Sequence, residues 1–189
     1  DFTYGGSATT GDWARGTTTS LVTTGGLYSF GSTNRQLMIQ PGGSDFTPGT
    51  FTLRIQNTTG SSVSNWALSY DLWLNNDQER GNSFNFSYSI DDSSYITTGL
   101  TGLTTYTSPA VSDLLGWREI GTPSNTVSAT VANNGFLYIR WTGADVDGSG
   151  SRDEFGLDNI TVNAVPEPVA CALLGAGALL WVLRRKRTA

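Results

Sequence analysis

The sequence contains no histidine, one cysteine and one lysine among its 189 residues. The absence of histidine excludes a Ser-His-Asp triad and any zinc site built on imidazole ligands. Because Cys171 stands alone, the chain forms no intramolecular disulfide, and its stability must come from burial of a core. A glycine-rich phosphate loop is also missing. Two-carboxylate glycan chemistry is the enzyme class that this composition still permits.

Charged residues make up only 14% of the chain, and the two signs are unevenly distributed. Of the 16 acidic residues, all but Glu167 precede residue 164, whereas four of the 11 basic residues form the cluster 184–187. An acidic body without a basic stripe argues against nucleic acid as a partner. The basic cluster is typical of the flank of a membrane segment. The charge pattern therefore predicts two parts, a body over 1–163 and a tail over 164–189.

Alternation of apolar and polar residues dominates the body. Over 66–74, for example, Trp66, Leu68, Tyr70, Leu72 and Leu74 alternate with residues of a second, largely polar face. Further short strands are predicted over 27–30, 37–39, 51–55, 84–90, 127–131, 137–141 and 160–162. Many short strands with one apolar face each require two packed sheets. We therefore expect an all-β fold, a jelly-roll-like β-sandwich, followed by a short C-terminal transmembrane helix.

The tail has three parts in a fixed order. Pro166, Glu167 and Pro168 form a stiff joint, because proline fits poorly inside a helix or a sheet. The uncharged run 169–183 follows, and as a helix it would span about 22 Å against a bilayer core of about 30 Å. The tail then carries a basic cluster, which consists of Arg184, Arg185, Lys186 and Arg187. These cations predict a cytoplasmic C-terminus with the body outside.

This order resembles the PEP-CTERM sorting signal of Gram-negative bacteria. The resemblance implies that Pro166, Glu167 and Pro168 are recognised by exosortase, a membrane protease, with 169–183 as the membrane segment and 184–187 as the stop. It also implies an export signal upstream of Asp1, an inner-membrane intermediate, and a final place on the cell surface or in the extracellular matrix. The family's association with biofilm implies exopolysaccharide as a partner.

A second resemblance covers the body, through the stretches 70–95, 107–110 and 140–162. They resemble a domain of exported bacterial proteins that carry various C-terminal anchors. Such domains are jelly-roll sandwiches similar to carbohydrate-binding modules and laminin-G-like domains. The resemblance implies a non-enzymatic surface domain that binds glycan, and the alternative is a secreted, carboxylate-dependent, glycan-active enzyme.

The segment 145–158 concentrates carboxylates and predicts a metal site. Its candidate ligands are Asp145, Asp147, Asp153 and Asp158. Clustered oxygens suit Ca²⁺, which takes six to eight of them, so this loop is a candidate site for a structural Ca²⁺ ion, with Asp158 entering from the last strand. An EF-hand is excluded because its twelfth position would be Gly156. The alternative is a solvated turn whose charge is partly neutralised by Arg152.

Trp73 is the candidate glycan contact. It falls on the face of its predicted strand opposite Trp66 and Tyr70, so an exposed ring there would stack on a sugar. The alternative is that it packs beneath a loop or against a segment of the tail. The polar hairpin 75–81 that follows is either a binding loop or a connecting loop, and a further alternative is that the pair Glu79 and Arg80 braces the sheet edge.

Overall fold

The computed structural model describes residues 2–3, 14–42, 46, 48–103 and 105–165. These residues form twelve strands. The strands are β1 (Phe2–Thr3), β2 (Ala14–Thr18), β3 (Gly26–Phe30), β4 (Gln36–Gln40), β5 (Gly49–Gln56), β6 (Val63–Asn75), β7 (Arg80–Ser89), β8 (Tyr106–Thr107), β9 (Arg118–Gly121), β10 (Ser124–Val131), β11 (Phe136–Gly148) and β12 (Glu154–Ala164). Within the described part of the chain, no helix has the length and apolarity needed to cross a membrane.

The strands build two sheets. The five-stranded sheet has the order β1-β5-β11-β7-β8, and the seven-stranded sheet has the order β10-β6-β12-β4-β3-β2, with β9 paired to β6. Consecutive strands from β4 to β7, and again from β10 to β12, alternate between the two sheets. Adjacent strands run antiparallel apart from β2 and β3, which are parallel. The all-β prediction is confirmed for the described residues.

Aromatic side chains join the two sheets in a common core. Tyr70 of β6 stacks on Phe86 of β7 with centroids 5.9 Å apart, and Phe155 of β12 stacks on Phe84 at 5.1 Å. The edge of Trp141 on β11 meets Tyr70 at 5.2 Å, and Trp141 is fully buried. Because each pair links a strand of one sheet to a strand of the other, the sheets pack face to face as a sandwich.

The acidic segment differs from its prediction. A single loop over 145–158 was expected, but β11 continues to Gly148, with Asp145 opposite Asn82 and Asp147 opposite Gly81 on β7. The loop prediction is therefore wrong for 145–148, because the ladder to β7 continues beyond the last apolar residue that marks β11 in the sequence. Asp158 lies within β12, opposite Asp71 of β6, and its predicted place in the last strand is confirmed.

The tail lies outside the described residues. This applies to the Pro166-Glu167-Pro168 joint, to the apolar segment 169–183 and to the basic cluster Arg184, Arg185, Lys186 and Arg187. The last described strand, β12, ends at Ala164, one residue beyond the predicted limit of the body. Val165 still donates its backbone N–H to the carbonyl of Asn65 at 2.9 Å, which ties the end of the body to β6.

Candidate functional site

A groove runs along β6 on the outer face of the seven-stranded sheet. Ala67 and Ser69 form its floor, because their small side chains point away from the core between two flanking strands. Thr161 and Asn163 of β12 line one side, and β10 lines the other from Ser124 to Thr126. The open cavity between them measures about 430 Å³.

Three aromatic rings extend the same face at the other end of β6. The rings of Trp73 and Trp117 stack with centroids 6.1 Å apart and planes inclined by 18°. The ring of Phe30 also contacts Trp117, with centroids 5.1 Å apart and planes inclined by 50°. All three rings are half-buried, so each keeps part of its surface open to solvent. We refer to Phe30, Trp73 and Trp117 as the aromatic platform.

Gly156 is the reason that Trp117 can lie flat on the sheet. Gly156 pairs with Trp73 across β12 and β6, and a Cβ at this position would lie 2.5 Å from two ring carbons of Trp117. The prediction that Trp73 lies on the face opposite Trp66 is therefore confirmed, and its role as a glycan contact stays a prediction. Trp117 was missed, because it precedes a strand of only four residues, too short for a periodic pattern.

Carboxylates occupy the middle of this face, between the aromatic platform and the groove. Asp71 and Asp158 lie directly opposite each other on β6 and β12. Thr122 donates its hydroxyl to Asp71 at 2.8 Å and lies 3.3 Å from a carboxylate oxygen of Glu119. Asn159 donates to the second oxygen of Asp71 at 2.7 Å. The three carboxylates make the centre of the face acidic.

Asp145 and Asp147, two of the predicted Ca²⁺ ligands, lie near the edge of the other sheet. The Nε of Arg80 donates to Asp145 at 2.8 Å, and the guanidinium also binds the carbonyl of Gly150. Arg80 thereby lowers the pKa of the Asp145 carboxyl, mainly through its hydrogen bond. Asp147 is exposed. Arg80 of the hairpin 75–81 thus braces the edge of the sheet through Asp145, and the role of this hairpin as a binding loop stays a prediction.

Asp153 is in a different environment, fully buried beside the hairpin between β6 and β7. The N–H of Gln78 donates to Asp153 at 3.1 Å, and Asn75 donates to the neighbouring Glu154 at 2.8 Å. Burial raises the pKa of Asp153 and raises that of Glu154 to about 7. Arg152, also buried, donates to two backbone carbonyls, at 3.2 and 2.7 Å.

The four predicted Ca²⁺ ligands thus lie in separate environments. Asp145 is paired with Arg80, Asp147 is exposed, Asp153 is buried, and Asp158 lies on the outer face of the seven-stranded sheet. Across the residues that the structure describes, no three acidic, cysteine or histidine side chains form a group that could hold a metal ion. Structural Ca²⁺ held by these four aspartates stays a prediction.

No protein-family model matches the chain, and no curated protein matches its sequence. Three carbohydrate-binding modules are among the solved structures with a similar shape. A family 28 module, specific for non-crystalline cellulose, is 12% identical to this chain and has a TM-score of 0.44. The match covers 74% of this chain and 80% of the module. A family 4 carbohydrate-binding module is 14% identical and has a TM-score of 0.37, and the match covers 69% of this chain and 70% of the module. A family 61 module in complex with β-1,4-galactotriose is 7% identical and has a TM-score of 0.37, and the match covers 69% of this chain and 71% of the module.

Proposed function

We propose that the body is a non-enzymatic glycan-binding domain, which uses the outer face of its seven-stranded sheet. The observation that carries this proposal is the aromatic platform beside an open polar groove. A sugar ring has a C–H face that packs on an aromatic ring and hydroxyls that bond to polar side chains. From Trp73 to Ala67 the face extends about 20 Å along β6, which is long enough for a short oligosaccharide.

The negative charge of this face indicates which class of glycan it would bind. Asp71 and Asp158 lie between the platform and the groove, and Glu119 lies beside Trp73, so a bound chain would pass close to three carboxylates. A polyanionic glycan would be repelled there, whereas a neutral glycan would use the carboxylates as hydrogen-bond acceptors. We therefore infer a preference for neutral glycans over those rich in uronic acids or sulfate.

Affinity electrophoresis of the full chain through gels that contain neutral or acidic polysaccharides tests this proposal. We expect retardation by at least one neutral polysaccharide and at least a tenfold loss of affinity in Trp117→Ala, because sugar stacking depends on the ring. Tyr138→Ala, a half-buried aromatic on the other sheet, is the matched control and should bind normally. Equal binding by the wild type and Trp117→Ala would refute this site.

A glycan-active enzyme is the second candidate, and one observation favours it. Asp71 and Glu119 both lie within hydrogen-bond distance of the Thr122 hydroxyl, so two carboxylates lie close together on this face. Glycosidases use two carboxylates about 5–10 Å apart. Release of reducing ends from a bound polysaccharide, lost in both Asp71→Asn and Glu119→Gln, would establish this alternative. Retention without release supports the binding domain.

We also propose that the chain is sorted as an exported surface or matrix protein of a Gram-negative bacterium. Support comes from the order of the tail alone, with its Pro-Glu-Pro joint, short apolar run and basic end. Exosortase would process the tail at the membrane and leave the body on the cell surface or in the matrix. A glycan-binding body fits that place, since exopolysaccharide would surround it.

Processing in the native host tests the sorting proposal. We expect the double variant Pro166→Ala and Pro168→Ala to accumulate as the unprocessed form in the membrane fraction. Pro48→Ala, an exposed proline of the body, is the matched control and should be processed normally. Normal processing of the double variant would exclude the Pro-Glu-Pro joint as the recognition element.

A further inference from the structure

Several buried side-chain oxygens lie without a hydrogen-bond partner near the hairpin between β6 and β7. They are Oδ1 of Asn75, Oδ1 of Asn76, Oδ1 of Asn82 and Oδ2 of Asp153. None of these four side chains is more than 1% exposed. An unpaired buried acceptor is costly, and native proteins leave few of them. Four at one end of the sandwich indicate that something else satisfies them.

The segment 108–113 contacts two of these residues directly. Asn82 donates its backbone N–H to the hydroxyl of Ser108 at 3.0 Å, and this hydroxyl donates back to the carbonyl of Asn82 at 3.3 Å. Asp153 lies near Asn82 between the sheets, because each comes two residues before a ring of the Phe155–Phe84 stack. The side-chain amide of Asn76 donates to the carbonyl of Val111 at 3.1 Å. Gly81 permits this approach, because a Cβ there would lie 2.8 Å from the carbonyl oxygen of Ser108.

The partners of these side chains determine which atom of each is free. The Nδ2 groups of Asn75 and Asn76 donate to Glu154 and to Val111, so the amide oxygens are the unpartnered atoms. Gln78 occupies Oδ1 of Asp153, which leaves Oδ2 free. The free atoms are therefore amide and carboxylate oxygens, which accept hydrogen bonds and donate none.

We propose that Asn76, Asn82 and Asp153 form a binding site for Ca²⁺. A shell made only of amide and carboxylate oxygens suits a hard cation, and Ca²⁺ accepts such mixed ligands with water in the remaining positions. Nearby basic side chains are engaged elsewhere, Arg118 with Asp113 at 2.5 Å and Arg80 with Asp145. With a single carboxylate among its ligands, the site should have a dissociation constant of about 10⁻⁴–10⁻³ M, in the range of extracellular modules.

This site differs from the four-aspartate site predicted from the sequence. It retains Asp153 but replaces the other three aspartates with asparagine amides. Asp147 is exposed, and Asp158 lies on the outer face of the sheet opposite Asp71. The two ligand sets therefore respond to different substitutions, and the binding of Ca²⁺ here does not depend on the proposed binding of glycan.

Thermal unfolding and titration calorimetry of the full chain with CaCl₂ test the proposal. After removal of metal with EDTA, 10 mM CaCl₂ should raise the Tm by about 3–10 °C. Asp153→Asn should abolish both the shift and the heat of binding. Asp147→Asn removes the same charge from an exposed aspartate in the adjoining segment, so this control should respond like the wild type.

A second variant decides the matter even if Asp153→Asn fails to fold. Asn82→Asp adds a carboxylate to the ligand shell, so it should bind Ca²⁺ at least about tenfold more tightly and unfold at a lower temperature in EDTA. The absence of any Ca²⁺ response in both the wild type and Asn82→Asp would overturn the proposal. If the Ca²⁺-induced rise in Tm is lost in Asp147→Asn but kept in Asp153→Asn, the proposal is wrong and Ca²⁺ binds to the acidic segment 145–158.

Discussion

The indole rings of Trp73 and Trp117 stack on the outer face of the seven-stranded sheet, with centroids 6.1 Å apart. The ring of Trp117 packs above β12 at Gly156, where a larger residue would block it. The core on the opposite face of β6 is closed by Leu72 and Leu74, which are almost fully buried. The Trp73–Trp117 stack therefore lies on the outer surface of the sheet and is not part of the core between the sheets.

Gly156→Ala should destabilise the protein by displacing Trp117. The new Cβ would lie 2.5 Å from ring carbons Cζ2 and Cη2, and such overpacking costs about 1–3 kcal/mol. Urea denaturation measures this loss. In a Trp117→Ala background the same substitution should cost much less, because the clashing ring is gone. If the losses in free energy of unfolding for the two single variants add up to the loss in the double variant, the ring of Trp117 does not pack against Gly156.

The alternation over β6 was enough to predict which residues form the core and that Trp73 lies outside it. Trp66, Leu68 and Tyr70 are all buried as this pattern requires. The prediction works because a strand with one buried face has period two, and β6 runs for 13 residues. The same reasoning located the short strands around it.

The aromatic platform and the buried oxygens could not be predicted in this way. Trp117 and Phe30 come from distant parts of the chain and meet only because β9 and β3 belong to the same sheet as β6. Asn75 and Asn76 belong to a polar stretch that is typical of an exposed turn, yet both are buried beneath the segment 108–113. Burial of polar residues depends on tertiary contacts, which local composition does not encode.

Phe155→Ala should be among the most destabilising substitutions in the body. Phe155 is 1% exposed and contacts Phe84 of the opposite sheet, with a further ring contact to Tyr106. Removing a buried phenylalanine side chain costs about 3–5 kcal/mol through lost burial and the cavity left behind. Urea denaturation should show this loss, whereas Ile90→Ala, at an exposed position, should cost less than about 0.5 kcal/mol. Comparable losses for the two would contradict the assigned core.

Asp91 should make the protein sensitive to acid. Its carboxylate accepts hydrogen bonds from the backbone N–H groups of Ser94 at 2.8 Å and Ser93 at 2.9 Å, and from the Ser89 hydroxyl at 2.7 Å, which together hold its pKa well below the usual range. Because the pKa is lower in the folded state, the stabilisation is present above about pH 4 and is lost as the pH falls further.

Asp91→Asn should therefore be less stable than the wild type at pH 6, and the difference should shrink towards pH 2. Chemical denaturation at a series of pH values measures this difference. Glu79→Gln removes one negative charge from an exposed residue of another hairpin and serves as the control. A difference between wild type and Asp91→Asn that stays constant across this range would show that the carboxylate charge is not what holds the turn.

Tyr70 should make the protein sensitive to alkali. Its ring is 3% exposed between the sheets, and its hydroxyl lies 3.4 Å from the carbonyl of Leu103. Burial raises the pKa of Tyr70 to about 12, because the interior disfavours the phenolate. The folded state therefore holds its proton more tightly than the unfolded chain, whose tyrosines titrate near pH 10. The stability contributed by this group is complete below pH 10 and is lost as the pH rises to about 12.

Tyr70→Phe removes the titrating group and keeps the ring, so its stability should fall less than that of the wild type between pH 10 and 12. The shift of about two pKa units sets an upper limit of about 3 kcal/mol on this difference. Urea midpoints at several alkaline pH values measure it, with Tyr138→Phe on the outer face of the other sheet as the control. Identical losses in the wild type and Tyr70→Phe would show that Tyr70 ionises without cost, and hence that its hydroxyl reaches solvent.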